Sequence, residues 1–579
     1  MTMLKLNSAA ELEALRAKIL AGRDPAKPCI AVCAGAACDG MDSAAVACAF
    51  LAEVGRQQLG ERLELRTTGC HGYCERGPNV VVTPGEICYF EVAPADVPEI
   101  VAATLRGEVV ERLVYHDPAS GAKAVHMDEV PFYKHQTRLL IGDNPKIDPM
   151  KIDDYLAVGG YAALIKALTE MTPDQVLDEV KRANLRGRGG GGFPAGSKWE
   201  TTRNAPEKIK YVIVNGHEGE SAAFMDRAML TGNPHKVLEG LIIGAYAIGA
   251  QRGFMYTRHD MPLLEKHVRN ALAQAKDYGL LGENILGSGF SLEVELHFDV
   301  GIFVSGESSA LMRSIEGNAP EPRPKYVRTS VSGIWDKPSN LNNVETWANV
   351  PQIISRGAEW FTSIGSEKSR GTKLISLSGN VVNSGVVEVP MGTPLRTLVF
   401  DIGGGVRDGK TLKAIHFGGA MGGSIPARLI DAPLDFDGMS KLGAPIGAGG
   451  LLLMDEDTDM VEVARYLMDF LTKESCGKCV PCREGMQQML QTLTRLTEGR
   501  GRQGDLELLE DLVEVTGLGS LCALGKTSGD PLKSMFRYFR PEYEARISNQ
   551  AADQAANQAA DQAADQAADQ AAAGSGDTK

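Results

Sequence analysis

Leu12, Leu15, Ile19 and Leu20 recur at helical spacing through residues 8–21, and the next stretch, KPCIAVCAGAACDG, changes to a strand-like apolar run ending in a Gly/Cys loop. The pattern predicts an N-terminal helix within 1–24 and a small α/β domain over 25–110. Residues 111–152 are irregular and rich in Pro, Asp and His, which reads as a linker running over the surface of a neighbour. Between 153 and 370, helical patterns (PDQVLDEVKRANL, NPHKVLEGLIIGAYAIGA, MPLLEKHVRNALAQA) alternate with strand patterns (KYVIVNG, GFMYTR, SLEVELHF), as in a sheet with helices on its faces. Short strands with Gly turns (TKLISLSGN, GVVEVP, LKAIHFGGAMGG) mark a β-rich insert over 371–455, and helical periodicity returns over 456–546. The tail, 547–579, repeats a four-residue Ala/Gln/Asp unit that offers no core-forming side chain, so a solvated appendage, partly helical or disordered, is expected there.

Composition narrows the chemistry. The 579 residues are 43% hydrophobic and 23% charged, an ordinary globular balance with an unusual supply of glycine, 65 in all. A formal charge of -14 without a dense Lys/Arg run argues against nucleic acid as a partner. The N-terminus lacks the apolar core of a signal peptide, and the longest apolar stretch, VLEGLIIGAYAIGA, is too short to span a bilayer and contains Glu239. A soluble cytoplasmic protein without membrane insertion is expected. Its eleven cysteines, odd in number and unevenly clustered, then point to metal or redox chemistry rather than disulfides.

Three cysteines, Cys476, Cys479 and Cys482, stand in ESCGKCVPCREG, and Cys522 follows in GSLCALG. A CxxCxxC loop with one distant thiolate suits a cubane iron-sulfur cluster, whereas zinc sites usually pair one CxxC with another. The spacing favours iron and leaves zinc open. Cys33 and Cys38 in CAGAAC, with Cys70 and Cys74 in TTGCHGYC, form two pairs on Gly-rich loops, suited to a two-iron cluster; zinc or buried free thiols are the alternatives. Cys29, Cys48 and Cys88 read as small hydrophobes. The densest glycine run, LRGRGGGGFPAGSKW, would let backbone N–H groups approach a phosphate, with Arg188 and Lys198 adding positive charge.

The chain resembles the NADH-binding flavoprotein subunit shared by respiratory complex I, NAD-reducing hydrogenases and NAD-linked formate dehydrogenases, in the form with a thioredoxin-like two-iron domain in front. The resemblance rests on GRGGGGFPAGSKW, NGHEGES, GNPHK, GESSALMRSIEG, NLNNVETWANVP and ESCGKCVPCREG, in the family's order, and runs from FYKHQTRLLIGDNPKIDP to about residue 540. It implies an α/β multidomain fold: a thioredoxin-like ferredoxin domain, a Rossmann-like FMN/NAD domain, a β-grasp insert and a C-terminal helical bundle. It implies FMN held by Gly187, Arg188, Gly189, Gly190, Lys198, Asn215, Glu218, Asn342, Asn343 and Thr346, with nicotinamide near Phe193 and Glu220. It implies a [4Fe-4S] cluster on Cys476, Cys479, Cys482 and Cys522, and the fused domain implies a [2Fe-2S] cluster on Cys33, Cys38, Cys70 and Cys74.

What such cofactors do follows from their electron counts. Nicotinamide exchanges two electrons as hydride, a cluster accepts one, and a flavin converts between them. No catalytic side-chain acid or base is required, and Lys198 would favour the reduced anionic flavin. The chain departs from the complex I pattern at His217 (usually Asp), Phe303 (Tyr) and Ser308 (Glu), while Arg328 and Thr201 stand where phenyl rings sandwich adenine. Arg328 would suit a 2'-phosphate, which raises NADP(H) as an alternative to NAD(H). A second alternative is an electron-relay or scaffold subunit that no longer uses nicotinamide. In either enzymatic reading the partners are other redox subunits, a hydrogenase, formate dehydrogenase or other reductase, together with a small [2Fe-2S] subunit or ferredoxin. Some assemblies of this kind bifurcate electrons, and no residue here decides that.

Overall fold

The computed structural model describes residues 5–117, 120–324 and 326–547, so the expected Ala/Gln/Asp appendage lies outside the described residues apart from Ile547. The chain divides into two compact units, residues 1–456 and 457–579. Among the described residues no helix is long and apolar enough to cross a membrane.

Unit one holds three principal sheets. The first orders its strands β2-β1-β3-β4, with β1 (Cys29–Cys33) parallel to β2 (Glu64–Thr68) and antiparallel to β3 (Val80–Thr83), which pairs with β4 (Ile87–Tyr89). Helices Ser43–Arg56 and Val97–Arg106 contribute Val46, Phe50, Val97, Ile100 and Val101 to its core. Residues 111–152 carry a two-stranded ribbon, β5 (Tyr115–His116) with β6 (Lys123–Ala124), and then bury Val130, Phe132, Tyr133, Leu140, Ile141 and Ile147. That burial makes the segment a packed strap with its own apolar anchors.

The second sheet is wholly parallel, in the order β10-β7-β8-β9: β7 (Tyr211–Gly216), β8 (Arg252–Thr257), β9 (Glu293–Phe298) and β10 (Ser339–Asn343). Helices cover it, so β7 reads as a continuous apolar run (YVIVNG) rather than an alternating one. The covering helix Pro234–Ile248 contains most of the stretch VLEGLIIGAYAIGA and is buried along almost its whole length. Its one acid, Glu239, is satisfied inside by Tyr155 Oη, Tyr161 N (2.9 Å) and Leu164 N (3.0 Å). Gly240 and Gly244 let it lie against helix Val344–Arg356: a Cβ on Gly240 would fall 1.9 Å from Trp347 O.

The third sheet, order β12-β11-β15-β13-β14, is mixed and is formed by β11 (Thr372–Gly379), β12 (Gly385–Pro390), β13 (Leu412–Phe417), β14 (Gly423–Pro426) and β15 (Gly450–Asp455). The first sheet's cysteine loop is tied to it, since Val386 N donates to Gly72 O (2.8 Å), Glu75 N to Ser384 O (3.0 Å) and Tyr73 Oη to Asn383 Oδ1 (2.7 Å). On its other flank Gly69 touches Gly232, where a Cβ on Gly69 would meet Gly232 Cα at 2.1 Å. Unit two is helical, with helices Met460–Lys473, Val480–Thr497, Asp505–Gly519, Ala523–Thr527 and Asp530–Glu544.

Gly240→Ala is expected to lower stability by about 3 kcal/mol, because the intruding methyl meets backbone that cannot rotate away. A lower midpoint of thermal unfolding checks it; an unchanged midpoint would show that the two helices separate freely.

Candidate functional site

A parallel sheet with this strand order has a switch point. From β7 the chain moves to β8 and β9 on one side, while β10 pairs with β7's other edge, so the loops after β7 and β10 diverge and leave a crevice at the strands' carboxyl ends. Asn215 is the last residue but one of β7, Glu218 and Glu220 follow the strand, and Asn342 and Asn343 end β10.

The glycine run enters this crevice as a pinched loop. Gly187 N donates to Phe193 O (2.8 Å) and Ala195 N to Leu185 O (2.8 Å), closing residues 187–193. Arg188 N donates to Thr346 Oγ1 (2.9 Å), which pins the loop to the helix after β10. A Cβ on Gly189 would lie 3.0 Å from Asn343 Cβ, one on Gly190 would lie 3.3 Å from the Gly447 carbonyl carbon, and one on Gly191 would meet nothing within 4 Å. The loop therefore has a wall on each side and an open face. Gly190 has φ +105, a conformation that side chains resist.

Several side chains singled out from the sequence face inward. The Arg188 guanidinium is fully buried, donates to Arg186 O (3.2 Å) and Arg370 O (2.5 Å), and lies 3.8 Å from Glu345; burial lowers it to about 10. Lys198, on helix Ala195–Asn204, donates to Leu341 O and is lowered by burial to about 8. Asn342, with its amide oxygen toward the indole, accepts from Trp199 Nε1 (2.8 Å). Glu218 accepts from Asp226 N (2.8 Å), Arg227 N (3.1 Å) and Arg227 Nε (3.1 Å), so it holds the start of helix Met225–Gly232. Asn343 Nδ2 bridges to Asn215 O (3.4 Å) and to Asp226 Oδ2. Arg188 thus contacts Thr346, Gly189 lies against Asn343, Asn343 reaches Asn215, and Asp226 links Asn343 to Glu218, while Lys198 and Asn342 support them from beneath through Leu341 and Trp199.

Of the nucleotide candidates, Phe193 is 60% exposed at the loop's rim. Glu220 is embedded among glycines of the third sheet's loops: a Cβ on Gly419 would fall 2.1 Å from Glu220 Cγ, and one on Gly450 would fall 3.0 Å from Oε1. Ala448 N donates to Glu220 Oε2 (3.2 Å), while buried Oε1 has no hydrogen-bond partner. Burial pushes Glu220 up to about 7. Arg328 is exposed on a turn before β10, and Thr201 donates to Ser197 O within its own helix. The sequence reading missed Asp226, Glu345, Asp299 and the glycines of GAPIGAGG (443–450). That second glycine cluster, inside an otherwise strand-rich segment, was the available signal.

The cysteines fall into two groups. Cys33 ends β1, Cys38 lies in the short helix Ala36–Asp39, and Cys70 and Cys74 flank the turn after β2; all four are buried. Cys70 Sγ and Cys74 Sγ are 3.7 Å apart, and Cys33 contacts both Cys38 and Cys70. Two thiolates on one tetrahedral metal with 2.3 Å bonds stand about 3.8 Å apart, so the Cys70/Cys74 spacing suits one metal ion, iron or zinc alike. In unit two, Cys479 caps helix Val480–Thr497, Cys482 lies in its first turn, and Cys522 caps Ala523–Thr527. Leu521 N donates to Cys479 Sγ (3.4 Å), which brings the Cys522 loop to the CxxCxxC loop. Burial pushes Cys482 up to about 11, with Cys522, Cys479 and Cys476 adding to the rise, so four thiolates would need a metal's positive charge. Among the described residues no group of three or more His, Cys, Asp or Glu side chains is spaced for a single metal ion.

Residues 180–352 match the family described as the Nuo51 FMN-binding domain, and residues 462–546 match the NADH-ubiquinone oxidoreductase-F iron-sulfur binding region. The NADP-reducing hydrogenase subunit HndC of Solidesulfovibrio fructosivorans is 46% identical over 417 residues, 72% of this chain and 85% of that protein. The NADH-quinone oxidoreductase F subunit of Escherichia coli (strain K12) is 39% identical over 401 residues, 69% of this chain and 90% of that one. A solved NAD+-reducing [NiFe]-hydrogenase in the H2-reduced state has a chain similar over 93% of this one and 88% of its own length, at 26% identity and TM-score 0.63.

Because the folded state takes up a proton at Glu220 more readily than the unfolded chain does, its contribution to stability is full at low pH and is lost as pH rises through about 7. Glu220→Gln should remove that loss, so the variant gains on wild type by on the order of 2–3 kcal/mol between about pH 5 and pH 7.5. Thermal unfolding of both proteins across that range measures it; a constant difference sinks the assignment.

Proposed function

The chain belongs to the family of NADH-quinone oxidoreductase F subunits and their hydrogenase counterparts, and from that we propose that it exchanges hydride with NAD(H) at an FMN site and passes electrons singly through two iron-sulfur clusters to partner subunits. The observation that carries this reading is the crevice at the β7/β10 switch point, with a glycine loop on one wall and an open backbone face. Bound FMN supplies the exchange between a two-electron hydride and single electrons. Gly189 and Gly190 offer backbone N–H groups to its phosphate, with Gly187 and Arg188 holding the loop's path through their own N–H bonds, and Asn215 and Asn343 fix the crevice floor. Lys198 places a buried ammonium beneath the site, which favours an anionic ligand. Glu220, with a free oxygen amid glycine backbone, offers a hydrogen-bonding group where a flat nicotinamide would lie, and Phe193 offers an apolar rim.

The layout that goes with this reading is a thioredoxin-like [2Fe-2S] domain at 25–110 behind the N-terminal helix 1–24, a strap at 111–152, an FMN/NAD domain at 153–370, a β-grasp domain at 371–455 and a helical [4Fe-4S] domain at 456–546. Cys33, Cys38, Cys70 and Cys74 hold the two-iron cluster, and Cys476, Cys479, Cys482 and Cys522 the four-iron cluster. The partners are redox subunits of a multisubunit complex; the names of the 46% identical relative and of the solved structure support a hydrogenase, and those of the other relatives an NADH-quinone oxidoreductase. A second reading, NADP(H) in place of NAD(H), is favoured by the 46% identity to a subunit of an NADP-reducing hydrogenase and by the exposed Arg328 guanidinium.

Anaerobically purified protein is expected to carry one flavin and about six irons per chain, and Cys482→Ser to lose about four of those irons while keeping the flavin. NADH should bleach the flavin faster than NADPH; the reverse order supports the second reading. Bleaching by neither nucleotide refutes both.

A further inference from the structure

His217 follows β7 directly and opens the loop 217–222 that carries Glu218 and Glu220. Its imidazole is only 1% exposed. The ring fills a slot between two glycines, because a Cβ on Gly219 would lie 2.7 Å from His217 Cε1 and one on Gly306 would lie 2.6 Å from Nδ1. At the far end of the slot Asp299 Oδ2 lies 2.9 Å from His217 Nε2, and Ser305 Oγ lies 3.2 Å from the same nitrogen. Asp299 is itself anchored. Its backbone N donates to Thr257 O (2.9 Å) at the end of β8, and its Oδ1 accepts from His259 N (3.0 Å) and pairs with His259 Nδ1 (2.6 Å). Burial opposes its charge, yet the hydrogen bonds from His217 and His259 hold the Asp299 carboxyl well below the usual carboxylate range.

Glu218 ties the loop's second residue to the start of helix Met225–Gly232, and the remaining bonds near the loop's start are local. His217 N donates to Asn215 Oδ1 (3.1 Å) and Glu218 N to Gly216 O (3.1 Å), both within the same turn, and Ala222 near its end is left-handed at φ +66. The Asp299 pair is the attachment that runs from the loop's first side chain across β7's edge to β8 and β9. We propose that Asp299 is a positioning residue for the nucleotide-facing loop 217–222, acting through the imidazole of His217. The carboxylate fixes the ring, the ring fixes the path of residues 217–220, and that path sets where Glu220 stands against the glycines of the third sheet. The nucleotide part of this role rests on the functional reading above; the ordering of the loop does not.

Two measurements on the flavin-loaded full chain test it. In Asp299→Ala, hydrogen exchange of residues 216–222 should rise about fivefold or more while residues 187–193 keep their protection. The KM for the reducing nucleotide should rise about tenfold with kcat within about twofold, the pattern of binding lost equally in the ground and transition states. His217→Gln keeps an amide donor toward Asp299 and should recover most of the wild-type KM. The role is overturned if exchange at 216–222 is unchanged, if it rises equally at 187–193, or if KM is unmoved. Should Asp299→Ala not fold, His217→Leu fills the slot without the hydrogen bond and is read by the same exchange comparison. A wild-type chain that neither NADH nor NADPH reduces would overturn the functional reading alone, and the exchange comparison would still decide the positioning role.

Discussion

Glu345 is the charge on which the arrangement of unit one turns. It stands in the first turn of helix Val344–Arg356, 1% exposed, and receives Lys373 Nζ on one oxygen and Leu374 N (3.0 Å) on the other, with Arg188 Nε 3.8 Å away. Lys373 and Arg188 are themselves 0% exposed, so one carboxylate answers two cations inside the protein. Breaking a buried pair by removing one partner typically costs about 3–5 kcal/mol, because the charge left behind has no water to turn to. The three groups come from the glycine loop, the helix after β10 and strand β11. One interaction therefore fixes the relative places of the glycine cradle, the crevice floor and the insert that closes over Glu220.

Several of the side chains expected at the cofactor make their hydrogen bonds to the protein itself. Arg188, Lys198, Glu218 and Asn342 spend their hydrogen bonds on carbonyls, helix starts and an indole beneath the surface. They hold backbone in place, and backbone lines the crevice. A glycine cradle has no side chains to define its shape, so definition must come from behind. Such a surface suits a flat ring system with a phosphate, since it offers close approach and N–H donors without crowding.

Much of this was legible in the chain. The continuous apolar run of β7, its alternation with amphipathic helices and the glycine loop before it were enough to expect a sheet with helices on its faces and a phosphate-bearing cofactor. The iron-sulfur character of the C-terminal region was equally open to reading from the CxxCxxC motif, because ligand chemistry constrains spacing locally. The role of Asp226 was not legible, since an acid eight residues after Glu218 gains meaning only when a helix start folds back onto that carboxylate. Asp299 was hidden for the same reason: its partner lies far upstream at His217, and only the register of β7, β8 and β9 brings them together. Residues 111–152 looked irregular because their apolar anchors follow no period, and they are ordered by contact with other elements.

The touch between Gly69 and Gly232 has a consequence for how such chains can be recombined. A front segment joined by a long irregular strap suggests a bead on a string, free to be trimmed, moved or exchanged for another carrier. Backbone pressed against backbone, with Asn144 Nδ2 donating to Cys70 O (2.9 Å) beside it, leaves no room for a different surface on either side. The front segment and the parallel-sheet segment can drift in sequence only as a matched pair, so a transplanted front domain must bring its own glycine and find one waiting.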